Sequence, residues 1–179
     1  MNRAIFVTIH MYLSAFFASF VLLVSISGGL YLLGVKGSVQ QESVFQTADI
    51  SIDTGSETLK ADVDSLLTAA GASDYSYEYV KVKGSTLYTR PTSREHYIIK
   101  LGDETEVINA QPSLQAALME LHMGHGPTTF KTFQKFFALG LIIVILSGLW
   151  LGLSAEHLRQ RTLLTFLAGS AVFAFAALL

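Results

Sequence analysis

Hydrophobic positions fall into three long blocks with a polar stretch between the first and the second. The first block runs from about Ala4 to Leu33 and holds no charged residue. Crossing a bilayer takes about 20 apolar residues in a helix, so this block is long enough with some to spare. It is also much longer than the apolar core of a signal peptide, about 7–15 residues, and is read as a retained membrane helix. The second block runs from about Phe133 to Leu153 and the third from about Leu163 to Leu179. The third is near the lower length limit for a span. The segments expected are a helix at 4–34, a soluble domain at 38–126, and helices at 131–155 and 162–179.

Between the first two blocks the periodicity changes. Residues 36–56 read as a linker with one short strand, where Ile50 and Ile52 alternate with polar neighbours. Leu59, Val63, Leu66, Leu67 and Ala70 then recur at helical spacing, with Ser56 a candidate N-cap and Gly71 a candidate stop. Strand-like runs follow at Tyr75–Lys83, Thr86–Arg90, His96–Leu101 and Thr105–Ile108, with turns at Lys83-Gly84 and Gly102-Asp103. Tyr75, Tyr77 and Tyr79 are expected on one strand face, against the preceding helix. Leu114, Ala117, Leu118 and Leu121 mark a further helix, ended by Gly124, Gly126 and Pro127. The predicted fold is an α-helical membrane protein of three transmembrane helices with a small α+β domain inserted after the first.

Composition agrees. The chain has 179 residues, 51% hydrophobic and 15% charged, with a formal net charge of −2. That balance fits a membrane protein and offers no basic patch for nucleic acid. Cysteine is absent, which removes disulfides, thiolate metal sites and thiol catalysis. Arg3, Arg159 and Arg161 flank one side of the predicted spans and Lys36, Lys131 and Lys135 the other, so the positive-inside rule votes only weakly. The amino terminus adds to the Arg3 side. The expected location is the bacterial inner membrane, amino terminus cytoplasmic and middle domain periplasmic.

Histidine is the residue type with chemistry to offer. His10 lies near the start of the first block and His157 just past the second. The stretches His10–Gly34 and Lys131–His157 are nearly equal in length, which predicts the two imidazoles at one depth on one membrane face. Such a pair can ligate a haem iron from opposite sides. Ser14, Ala18, Val21, Ser25 and Gly28 continue the His10 face as a small-residue stripe. Small residues also serve close helix packing, and terminal histidines also face headgroups. His122 and His125, three residues apart at the other face, are expected on one helical turn. They are candidates for an outer haem completed by a second protomer. With Met119 and Met123 they also form a soft-ligand set suited to copper, or simply a solvated helix end. His96 reads as a surface residue, and Gly148-x-x-x-Gly152 as a helix contact. Asp49, Asp53, Glu57, Asp62 and Asp64 lack calcium-loop spacing and read as solvated surface; no nucleophile motif, P-loop or dinucleotide fingerprint is present.

The order of parts resembles the PepSY-associated transmembrane family. The residues that carry the resemblance are His10-Met11-Tyr12-Leu13-Ser14 and Ser27-Gly28-Gly29-Leu30-Tyr31 in the first block. Leu121-His122 precedes the next helix, and Ser147-Gly148-Leu149-Trp150 lies near its end. The resemblance implies that the helix-plus-meander is a PepSY-like extracytoplasmic module. Larger members of the family look like membrane ferric-siderophore reductases that hold haem b through helix histidines. It therefore implies haem at His10, His157, His122 and His125, electron transfer across the membrane in iron uptake, and a homodimer or larger membrane complex. This chain is shorter than those reductases, with fewer helices and a smaller outer domain. Other PepSY proteins imply a different role, a non-enzymatic accessory or regulator acting on a protease or transporter.

Overall fold

The computed structural model describes residues 3–48, 50 and 52–179. Three helices are long and apolar enough to cross a membrane: α1 (Arg3–Leu32), α4 (Thr128–Leu153) and α5 (Glu156–Leu178). The remaining elements are β1 (Val39–Thr47), α2 (Leu59–Ala69), β2 (Tyr79–Lys83), β3 (Thr86–Arg90), β4 (His96–Lys100), β5 (Thr105–Pro112) and α3 (Leu114–His122). The chain divides into two compact units, Met1–Val21 with Lys135–Leu179, and Leu22–Gln134.

In the first unit α1 and α4 run antiparallel, and aromatic rings set their register. Phe20 stacks on Phe137 with centroids 4.2 Å apart and an interplanar angle of 7°. Phe6 meets Trp150 at 4.7 Å. A Cβ at Gly140 would overlap the Phe17 ring, so the glycine is the notch into which that ring fits. Gly152, the second glycine of the expected contact motif, receives Thr162 of α5 instead. The third helix begins at Glu156, not at residue 162, and therefore includes His157, Arg159 and Arg161. Hydropathy registers only the apolar part of a helix; the polar first turn is held by i→i−4 bonding from Arg159 N–H to Ala155 O at 2.8 Å.

The second unit holds a five-stranded antiparallel sheet of order β1-β5-β4-β3-β2. Val63, Leu66 and Leu67 of α2 are buried together with Leu87, Tyr97, Ile99 and Val107 from one face of the sheet. The helix-on-meander expectation holds, and Gly71 (φ +80°) ends α2. The N-cap is Thr58, with the Ser56 hydroxyl accepting from the Thr58 N–H.

The linker expectation fails. Val39–Thr47 forms a nine-residue strand paired with β5 from Val39↔Pro112 to Thr47↔Thr105. Most of its side chains are exposed, so it carries no apolar alternation to read; backbone hydrogen bonds to β5 define it. Ile52 is not part of a strand but is buried in the core, and Asp49 and Ser51 lie outside the described residues. The tyrosines do not share a strand face. Tyr75 and Tyr77 precede β2 and stack at 6.0 Å, and the Tyr77 hydroxyl donates to Asp64 Oδ1 at 2.7 Å. Burial and that carboxylate push the Tyr77 phenol well above its usual pKa. Tyr79 lies under the Lys131 ammonium instead.

Polar links tie the sheet-domain elements to the ends of the apolar helices within this unit. The Gln115 amide donates to Ser27 O and Val35 O at 3.3 and 3.1 Å. The Gln134 amide donates to Leu121 O at 2.7 Å. Glu78 accepts from the Thr128 N–H at 2.9 Å, capping α4 from a distant part of the sequence, and those hydrogen bonds hold its carboxyl below the usual range.

Candidate functional site

The five histidines go to distinct places. His10 sits on the second turn of α1 and its Nδ1 lies 2.8 Å from Ser147 Oγ of α4. The ring rests in a glycine notch: a Cβ at Gly148 would lie 3.2 Å from His10 Cε1. The same local arrangement recurs in the other unit. His122, the last residue of α3, places Nδ1 3.1 Å from Ser27 Oγ of α1, and a Cβ at Gly28 would lie 3.0 Å from its Cε1. A Ser-Gly pair on an apolar helix thus seats an imidazole twice, the serine taking one nitrogen and the glycine making room for the ring edge.

The hydrogen-bond directions depend on where each serine proton goes. Ser147 Oγ donates its single proton to Val144 O at 3.0 Å, three residues back on its own helix. Ser27 Oγ does the same to Val24 O at 3.3 Å. In the tautomer that matches those bonds each histidine donates Nδ1–H to its serine; in the other tautomer the serine hydroxyl donates to Nδ1. A neutral imidazole protonated at Nδ1 carries its free lone pair on Nε2, the nitrogen that binds metals and haem iron. Among the described residues no hydrogen bond engages Nε2 of either ring.

Ser14 adds a second feature. It lies one turn beyond His10 on the same face of α1, and its hydroxyl is buried with no hydrogen-bond partner. A serine within a membrane helix ordinarily back-bonds to the i−4 carbonyl, and leaving the group unpaired costs about 1–3 kcal/mol. A polar ligand atom beside His10 would relieve that cost.

Two expected groupings do not form. His157 is exposed on the first turn of α5, whereas His10 lies level with Ser147, six helical residues, or about 9 Å, short of the end of α4. The equal-depth expectation rests on counting along the sequence from turn to turn; α1 in fact continues back to Arg3, which carries His10 deeper than His157. His122 and His125 do not share a helical turn either. α3 ends at His122, and Gly124 (φ +76°) takes the chain out of the helix. His125 turns to Glu120, its Nδ1 lying 2.9 Å from Oε2. The same carboxylate oxygen accepts from Thr92 Oγ1, and Arg90 Nη1 lies 3.6 Å from it. His96, expected on the surface, is 5% exposed; its Nδ1 lies 2.9 Å from Arg94 O, and burial holds its pKa below the usual value. The segment is a strand as its alternation predicts, but which of its faces is covered depends on what lies over the sheet.

Met119, Met123, His96 and His125 line one cleft, while His122 is drawn off to Ser27, so the soft-ligand set is divided. Among the described residues no group of three or more histidines and carboxylates gathers as a metal would need. The serines are visible in the sequence only as parts of short motifs. The signal that could have found them is a Ser-Gly pair on each helix that meets a histidine. Comparisons with family models, with curated proteins and with solved structures gave no match for this chain, so the reading of the site rests on its own geometry.

Proposed function

We propose that the chain is a membrane haem protein that transfers electrons across the bilayer, similar in kind to a PepSY-associated reductase component, with a ferric chelate as outer acceptor. The observation that carries the reading is the repeated Ser-held imidazole: in both places the serine engages Nδ1, and among the described residues no hydrogen bond engages Nε2. His10 and His122 are the residues that would hold haem b. A second copy of the chain would supply opposing ligands, with His157 and His125 the remaining candidates. When bound, the group supplies one-electron exchange. The protein's own residues set ring orientation through Ser147 and Ser27, and basicity at Nε2 through the same hydrogen bonds. The orphaned Ser14 hydroxyl fits a site that awaits a polar ligand atom. The test is an absorbance spectrum of the full chain, expressed with ample haem and purified in detergent. A Soret band at stoichiometric haem supports the proposal, and none ends it.

A second reading has its own observation. Each ring already fills a glycine notch on a neighbouring helix, as a packing clamp would. On that reading the helices anchor a PepSY-like module that acts on a protease or transporter, and the same spectrum separates the two.

Within the proposal the sheet domain is periplasmic and the amino terminus cytoplasmic. Ser85 is exposed at the β2–β3 turn, so Ser85→Cys is expected to react with a membrane-impermeant maleimide in intact spheroplasts. The native chain has no cysteine, so labelling reports this site alone. Labelling that appears only after lysis would invert the topology.

A further inference from the structure

Outside the two imidazole seats, a cleft of about 570 Å³ opens in the unit that carries the sheet. It lies on the face of the sheet away from α2, and its wall is basic. Lys81 and Lys83 extend from alternate positions of β2 and Arg90 from β3, while Lys36 joins them from the segment that follows α1. Glu120 is the sole carboxylate among the residues lining it. Four cations thus face one acid, and that acid is already engaged by Thr92, His125 and Arg90. Among the described residues Lys36, Lys81 and Lys83 form no ion pair.

We infer that this cleft binds a phosphate- or carboxylate-bearing anion. Like charges drawn together in a concave, partly apolar wall repel one another, and an anion turns the repulsion into attraction; clefts of one sign concentrate the opposite ion. The gathering is local, because the whole chain is net −2, and Asp53, Glu57, Asp62, Asp64 and Asp74 lie in or around α2, on the other side of the sheet. Arg90 gives a second, independent sign. Its side chain is 12% exposed, and its Nε is buried without a hydrogen-bond partner, so a guanidinium built for several acceptors lacks one. A small change in its rotamer would offer that fork to an oxyanion. His96 and His125 line the same cleft with Nδ1 engaged and no bond at Nε2 among the described residues. A metal cation is the opposite choice, since the lysines would repel it. The volume lies within the ordinary range for small-molecule sites and admits a diphosphate, a tricarboxylate or a phospholipid headgroup. Lys36 and Tyr31 place one wall at the point where the chain leaves the apolar part of α1, so an anionic lipid can present the same chemistry as a free anion.

The test measures binding of pyrophosphate to the full chain in neutral detergent, by calorimetry at fixed chloride. The double variant Lys81→Gln/Lys83→Gln removes two exposed lysines, and Lys60→Gln on α2 removes a lysine from elsewhere. Saturable binding that the double variant weakens at least tenfold, and Lys60→Gln leaves unchanged, supports a free-anion site. If pyrophosphate does not bind, the chain is placed in nanodiscs of mixed phosphatidylcholine and phosphatidylglycerol. Co-purification of phosphatidylglycerol that the double variant loses assigns the anion to a headgroup. No binding in either arm, or equal loss with Lys60→Gln, overturns the inference. Neither readout uses haem, so failure here leaves the Soret test untouched.

Discussion

His10→Ala is expected to lower the haem content of the purified chain and to weaken its Soret band, and His122→Ala to do the same independently. His10 is the histidine farthest inside an apolar helix, where an imidazole without a partner is costly. Its partner is Ser147, which engages Nδ1, and among the described residues Nε2 has no hydrogen bond. The effect of the serine can be measured separately. Ser147→Ala keeps the ring but removes the hydroxyl that holds its Nδ1, and losses of this kind run to about 10–100-fold in affinity. Ser27→Ala should act on His122 in the same way. His96→Ala, on a ring that meets no Ser-Gly seat, should leave the spectrum unchanged. Two steps in a redox titration, one lost with each histidine, would assign a haem to each seat. If the serine variants lower thermal stability but leave a wild-type Soret band intact, the seats are packing clamps and the haem lies elsewhere.

The second large effect concerns folding. Gly37→Ala is expected to destabilise the sheet domain by about 3 kcal/mol or more, a shift of roughly 10–20 °C in its melting temperature. Gly37 has φ +77°, a left-handed conformation that costs an L-residue about 1–2 kcal/mol. The lack of space costs more than the backbone conformation. A Cβ there would lie 2.5 Å from the backbone nitrogen of Ala116 and 2.8 Å from Ser113 Oγ. Those atoms are the N-terminus of α3 and its cap, which cannot swing aside as a flexible side chain can. Ser113 is also locked to the residue after Gly37, with Ser38 N–H donating to Ser113 Oγ and Ser113 N–H donating to Ser38 O. Gly71→Ala is the matched control. Gly71 has φ +80° but open space where a Cβ would go, so it should show the conformational cost alone. Equal losses at the two positions would show that the contact with α3 does not matter.

The sequence by itself determined the elements whose signals are local. Three uninterrupted apolar blocks specify the long helices, because a span must satisfy its backbone internally and present apolar side chains along its whole length. The spacing of Leu59, Val63 and Leu66 specifies α2, and the alternation of residues 96–100 and 105–108 specifies two strands of the meander. His10 stands out because a polar ring is rare inside an apolar helix. The PepSY resemblance and the haem remain proposals, with the repeated Ser-His seat as their support.

Tertiary structure decided what depends on a partner distant in sequence. β1 has no pattern of its own, since an exposed edge strand is held by the backbone of β5, 105–112, and needs no apolar face. The depth of His10 is set by its register with Ser147 across two helices, which counting along the chain could not give. His122 and His125 look like neighbours in the sequence, yet one left-handed glycine between them sends the first to Ser27 and the second to Glu120. The basic cleft is likewise invisible in a chain of net negative charge. Lys81 and Lys83 form no recognisable cluster until folding brings Arg90 and Lys36 beside them.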